Sequence, residues 1–186
     1  MTTKLLSPHE LRVWHAFMLM NEDVLDRVGR DIAQATGLSG PEFGVLSRLA
    51  ALGKGEMRQQ VLASVMAWDK SRLSHQLTRM QERALIERRR TDAKTVLVAL
   101  TKLGREKLDA ARPIHAASVR RNLLSRLTQE QIDTIVRVSN LLGEEEYQGP
   151  FRVAERRFVH TEDFSFLHRV CIPNSCTTGD NSWLLR

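Results

Sequence analysis

Residues 57–104 restrict the fold more than any other part of this 186-residue chain. They read as two short helices, a basic two-strand ribbon and the opening of a further helix. The second helix, predicted over 69–83, has the sequence DKSRLSHQLTRMQER. At the helical period, Leu77, Met80 and Ala84 fall within about 40° of Leu73, so one narrow face is apolar. The opposite side carries Ser71, Ser74, His75 and Thr78, with Arg72 and Arg79 on its flanks and Lys70 at its start. Short polar side chains beside guanidiniums suit the DNA major groove, where they reach base edges and phosphates.

A polar stripe on a helix is most often a solvated face, so the neighbouring segments decide its meaning. Upstream, Val61, Leu62, Val65 and Met66 recur at helical spacing, which predicts a helix ending just before a tight turn. Asp69 stands at the N-cap position of the second helix. Two helices across so short a turn form a helix-turn-helix unit. Downstream, LIERRR and TVLVAL are β-prone runs separated by TDAK, a hairpin with a basic tip and stem. Arg88, Arg89, Arg90 and Lys94 are expected to project beside the second helix. The fold class expected is mainly α with a small β-hairpin wing, a winged helix-turn-helix.

Charge falls in the same place. Residues 54–107 hold 13 Lys and Arg against 6 Asp and Glu, a net of +7, while the rest holds 15 against 16, a net of −1. The whole excess of +6 therefore sits in the winged region. Concentrated basic charge draws polyanions through counterion release. An anionic membrane is the less favoured polyanion, because these charges lie on a folded helix and hairpin rather than on an apolar-faced surface helix.

The run SVMAWDKSRLSHQLTRMQERALIERRRTDAKTVLVALTKLGREKL resembles the DNA-binding core of MarR-type bacterial transcriptional regulators. Asp69, Lys70 and Ser71 stand where that pattern opens its recognition helix with Asp-Arg-Ser. Leu85 to Arg88 follow its Gly-Leu-Val-Glu-Arg, and Leu100, Thr101 and Gly104 match its Leu-Thr-x-x-Gly. The likeness extends more weakly over residues 7–145 and does not cover the C-terminal tail. Two corners depart from the pattern, since Ala67 and Ala84 occupy glycine positions and lose backbone freedom. At the wing tip, Lys94 replaces an arginine, which favours phosphate contact over bidentate recognition.

What the resemblance implies is specific. It divides 7–145 into dimerisation helices at about 7–37 and 102–143 around a winged domain at about 40–101. It implies a homodimer whose two recognition helices address a pseudo-palindromic operator in double-stranded DNA, with half-sites about one turn apart. It implies a repressor relieved by a small aromatic or phenolic ligand lodged between the dimerisation helices and the winged domain. Trp14, Phe17, Met18, Phe43 and Arg48 are candidate pocket residues, although apolar residues at these spacings are more often plain core. The alternative is an effector-independent DNA-binding or architectural protein.

Helix boundaries are marked by local chemistry. Ser7-Pro8-His9-Glu10 and Ser39-Gly40-Pro41-Glu42 are capping boxes with proline near the start, flanked by Leu6 with Leu11 and by Leu38 with Phe43. Thr128 to Gln131 repeats the device between Leu127 and Ile132. These signals predict helices over 8–36, 41–52 and 129–142, closed by Gly37, Gly53 and Gly143. A further helix over 102–124 should be kinked or divided at Pro113. Leu11, Trp14, Phe17, Met18 and Leu25 line the first helix, and Ile132, Ile135, Val136, Val138, Leu141 and Leu142 the last. So much apolar surface at the ends of a small domain is expected to meet a second copy.

Beyond Gly149-Pro150 the helical period ends, and 150–186 reads as a disordered tail. Cys171, Cys176 and His168 lie there without the second ligand pair that a structural zinc requires, so no metal or other cofactor is expected. No phosphate-binding glycine loop, HExxH or GxSxG occurs, and no enzyme is expected. No apolar run approaches the ~20 residues that span a bilayer, and the N-terminal MTTKLLSPHE has no apolar signal core. A reducing cytoplasm is the simplest compartment.

Overall fold

The computed structural model describes residues 4–92 and 95–142. The element order is α1 (Pro8–Thr36), α2 (Gly40–Leu52), β1 (Glu56–Arg58), α3 (Gln59–Met66), α4 (Lys70–Glu82), β2 (Ile86–Arg90), β3 (Val96–Leu100), α5 (Lys102–Asn122) and α6 (Gln129–Leu142), with a 3-10 turn at Leu124–Arg126. Mainly helical with a small sheet, this is the expected class.

Capping chemistry starts the helices where the sequence predicts. Ser7 accepts from the amide of Glu10, whose carboxylate accepts from the amide of Ser7 at 2.6 Å. Ser39 and Glu42 repeat the exchange at α2, and Thr128 and Gln131 at α6. Gly37 closes α1 in the left-handed region at φ 73°.

The sheet has three antiparallel strands in the order β1-β3-β2. Its third member, β1, pairs Met57 with Val98 and was not expected. Pro113 does not divide α5, which continues from Lys102 to Asn122 as one helix. The helix stops two residues short of the expected 124 and passes into the 3-10 turn. Gly104 is demanded by packing, since a Cβ there would collide with the carbonyl oxygen of Leu85.

One core joins the C-terminal half of α1 to the winged region. Ile32, Leu46, Leu49, Leu62, Leu73, Leu77, Met80, Ile86, Val98 and Leu108 are all buried in it. Asp31 of α1 fastens the helix to α5, accepting from Ser118, from the Arg121 guanidinium at 2.6 Å and from Asn122 at 3.3 Å. The Ser118 hydroxyl, helped by the charge of Arg121, holds its carboxyl below the usual aspartate value despite partial desolvation.

The carbonyls that end α1 are also taken up by other elements. Lys107 of α5 donates to Thr36 at 3.0 Å, and Arg83 donates to Gly37 at 2.9 Å. The N-terminal half of α1 and the whole of α6 lie outside this core, and α6 buries no residue. Trp14, Phe17, Leu25, Val136, Leu141 and Leu142 are exposed.

Candidate nucleic-acid interface

The turn between α3 and α4 is short and strongly bent. Ala67 takes φ 51° and ψ 36°, a left-handed conformation that is strained for any residue with a Cβ. The Trp68 amide donates to Ala63 at 3.0 Å. Asp69 then caps α4 by accepting from the Arg72 amide at 2.8 Å. Leu73, Leu77 and Met80 are fully buried, which anchors α4 by the predicted face. Ala84 departs from that face. It lies past the helix end at φ 53° and is exposed. Thr101 ties this corner to α5 by donating to the Ala84 carbonyl at 2.6 Å.

On the outer side of α4, Lys70, Ser71, Arg72, His75, Thr78 and Arg79 are exposed, and Ser74 is half-buried. The Arg72 guanidinium lies over the Trp68 ring, 4.4 Å from its centroid. Arg79 donates to the buried Gln76 at 2.7 Å. Thr78 turns its hydroxyl back to the Ser74 carbonyl at 3.1 Å and accepts from Arg88 at the same distance. Arg88 also donates through Nε to Gln81 at 2.7 Å. The base of the hairpin is thereby joined to the C-terminal half of α4, through a glutamine that sequence patterning did not single out.

The three arginines of β2 do not share one direction. Strand alternation puts Arg88 and Arg90 on one face and Arg89 on the other. Arg89 pairs with Glu56 at 2.7 Å and Glu87 at 3.3 Å instead of lying beside α4, which corrects the expectation that all three project there. Arg90 is exposed, and Lys94 falls outside the described residues.

Behind α4, Arg83 makes a long-range contact at the helix end. Its guanidinium holds both carboxylate oxygens of Glu42 at 2.7 and 2.8 Å. Glu42 is 4% exposed and also completes the cap of α2. The end of α4 is therefore tied to the corner between α1 and α2 by a charged pair in which one guanidinium nitrogen, Nη1, serves both carboxylate oxygens while Nη2 donates to Gly37.

The five candidate pocket residues occupy two settings. Trp14 and Phe17 stack on each other at 6.3 Å along the exposed part of α1, with Met18 half-buried next to them. Phe43 stacks on His115 of α5 at 4.9 Å, and burial pushes that imidazole below its usual pKa. Arg48 donates to the Gly44 carbonyl at 3.2 Å, and burial lowers its pKa too. An open hollow along α6 is lined by Asp133, Val136, Arg137, Asn140 and Leu141. Among the described residues no three His, Cys, Asp or Glu side chains converge as metal ligands, and no helix is long and apolar enough to cross a membrane. The tail with Cys171, Cys176 and His168, and the expected stop at Gly143, lie outside the described residues.

By sequence alone, no family profile and no curated protein matches this chain. Solved structures do. AbsC, a MarR family transcriptional regulator from Streptomyces coelicolor, is 30% identical, with a TM-score of 0.66, over 73% of this chain and 93% of its own. Sco3205, a MarR family transcriptional regulator of the same organism solved in complex with DNA, is 25% identical, with a TM-score of 0.65, over 74% of this chain and 90% of its own. An organohalide-sensing transcriptional regulator in its 2,4-dichlorophenol-bound form shares the fold at 17% identity and a TM-score of 0.62, over 82% of this chain and 98% of its own. With the identity to AbsC spread over nearly all of that protein, and α3, α4 and the hairpin in winged helix-turn-helix order, the chain belongs to the MarR family of transcriptional regulators.

Proposed function

We propose that this protein is a dimeric, sequence-specific repressor that binds a pseudo-palindromic operator in double-stranded DNA and is released by a small aromatic or phenolic ligand. The observation that carries the DNA reading is the outer face of α4. It presents Lys70, Ser71, Arg72, His75, Thr78 and Arg79 above a fully buried Leu73, Leu77 and Met80, with Arg88 hydrogen-bonded alongside. In this reading α4 enters the major groove. Arg72 and the short polar residues read base edges, while Lys70, Arg88, Arg90 and Lys94 meet phosphates. Arg89 contributes less, because Glu56 and Glu87 already balance its charge. The DNA-bound state of Sco3205 supports the assignment of partner.

In the same proposal the chain divides as its faces suggest. Residues 7–37 and 102–143 supply dimerisation helices and 40–101 the winged domain. The exposed apolar residues of α1 and α6 support the dimer, since a second copy would remove them from water. Trp14, Phe17, Met18, Phe43 and Arg48 are the proposed ligand contacts, with aromatic rings for the ligand ring and a guanidinium for its anionic group. Binding of 2,4-dichlorophenol by a regulator of this fold supports that ligand class. In this reading the protein acts in the cytoplasm.

Footprinting and mobility shift on the DNA upstream of its own gene test the proposal, with and without phenolic acids. The expected result is a protected, twofold-related site bound in the nanomolar range, weakened steeply by salt and released by ligand. A protein that binds no duplex at low salt overturns it. Binding that no phenolic acid alters leaves an effector-independent DNA-binding protein.

A further inference from the structure

Trp68 stands in the α3–α4 turn and is anchored twice. Its amide is hydrogen-bonded to Ala63 at 3.0 Å, and its indole packs half-buried against the core. The next residue, Asp69, caps α4 through the amide of Arg72. Arg72 is thus fixed at its backbone by one residue of the turn, and its guanidinium lies over the ring of the other at 4.4 Å. A cation–π contact uses the charge of a guanidinium and none of its N–H donors. Arg72 therefore has its side chain extended against a rigid plane while keeping donors for an acceptor outside the protein.

We infer that Trp68 is a positioning residue for DNA recognition, a platform that pre-orients Arg72 so that little side-chain freedom is lost when it meets a base edge. The inference rests on the reading of α4 as the recognition helix and assigns within it a function to a residue that need not touch DNA. Two consequences follow from the physics. Lysine should replace Arg72 poorly, because its ammonium can sit over the ring but lacks the planar fork that stacks there and still presents paired donors. Removing the indole should matter only while Arg72 is present, and more for the preferred sequence than for a random one.

The test uses the full chain and two duplexes, one recovered by in vitro selection with the wild-type protein and one scrambled from it. Affinities are measured for Trp68→Leu, Trp68→Phe, Arg72→Ala, Arg72→Lys and the Trp68→Leu/Arg72→Ala double variant. The expected result is a threefold to thirtyfold loss for Trp68→Leu on the selected duplex, roughly the range of one cation–π contact, and a smaller loss on the scrambled one. Trp68→Phe should recover most of it, and the double variant should bind no worse than Arg72→Ala. Additive losses, or equal losses on both duplexes, overturn the inference and leave Trp68 as a support of the turn. Arg72→Ala without loss of discrimination overturns the reading of Arg72 itself, a separate result. Should Trp68→Leu not fold, NMR of the unbound wild type decides. Arg72 side-chain protons are expected upfield under the indole ring current, and ordinary shifts there overturn the inference.

Discussion

The winged region and the terminal helices arrange the same kinds of residue in opposite ways. In α4, leucines and Met80 face inward and are sealed, while the polar and basic side chains face out. In α6 and the first half of α1, many large exposed residues are themselves apolar, among them Trp14, Phe17, Ile135, Val136 and Leu141. The first region completes its own core and leaves a surface that water and a polyanion can share. The second lacks a core of its own and leaves a surface that only another apolar surface can satisfy. Fold stability and the proposed assembly surface thus lie in different parts of one chain, and substitutions should separate them.

The largest expected effect is at the open region. Ile135→Glu puts a carboxylate in the apolar row of α6. It should leave the helix content unchanged yet yield monomers by light scattering, with operator affinity falling roughly a hundredfold or more as the second half-site is lost. A dimer that persists would remove α6 from the proposed interface. Leu77→Ala tests the sealed region. It should cost about 2–5 kcal/mol in denaturant unfolding. Glu42→Ala breaks a charged pair and a cap together, with one partner half-exposed, and should cost about 2 kcal/mol by the same measurement. Arg88→Ala is expected to weaken selected and random duplexes alike and to flatten the salt dependence by about one unit, which a mobility-shift salt series reads. The smallest effect has the opposite sign. Ala67→Gly or Ala84→Gly should raise stability by about 0.4–1 kcal/mol, because the left-handed conformation at φ 51° or 53° is strained for alanine. An unchanged or lower melting temperature would refute that strain.

Much of this fold was legible because its determinants are close together in the chain. Ser7, Ser39 and Thr128 each find their capping partner three residues on, so the starts of α1, α2 and α6 could be read directly. The buried Leu73, Leu77 and Met80 of α4 followed from periodicity, which wrongly added Ala84 beyond the helix end. Strand β1 was missed because three residues with one buried side chain carry no period, and its pairing with β3 lies about forty positions away. Arg83 was read only as the end of a helix. Its partner Glu42 lies 41 residues earlier, and nothing in either segment announces the pairing. Pro113 was expected to kink or divide α5, and the helix runs undivided through it. At the candidate site, the composition of the α4 face could be read, but not the commitments of its arginines. Arg88 joining Gln81 and Arg89 turning to Glu56 depend on strand register.

The grip on the end of α1 has a mechanical consequence. Arg83 and Lys107 hold the carbonyls of Gly37 and Thr36, so the corner after α1, the end of α4 and the start of α5 move as one piece. With 29 residues, α1 is a lever about 43 Å long. A tilt of about 5° at its far end displaces the held corner by roughly 4 Å, close to the rise of a single base pair. In the proposed dimer on DNA, a small change of angle between partner helices would therefore become a whole step of register along the duplex. Duplexes whose half-sites differ in spacing by one base pair would record that gearing as a change in preferred spacing.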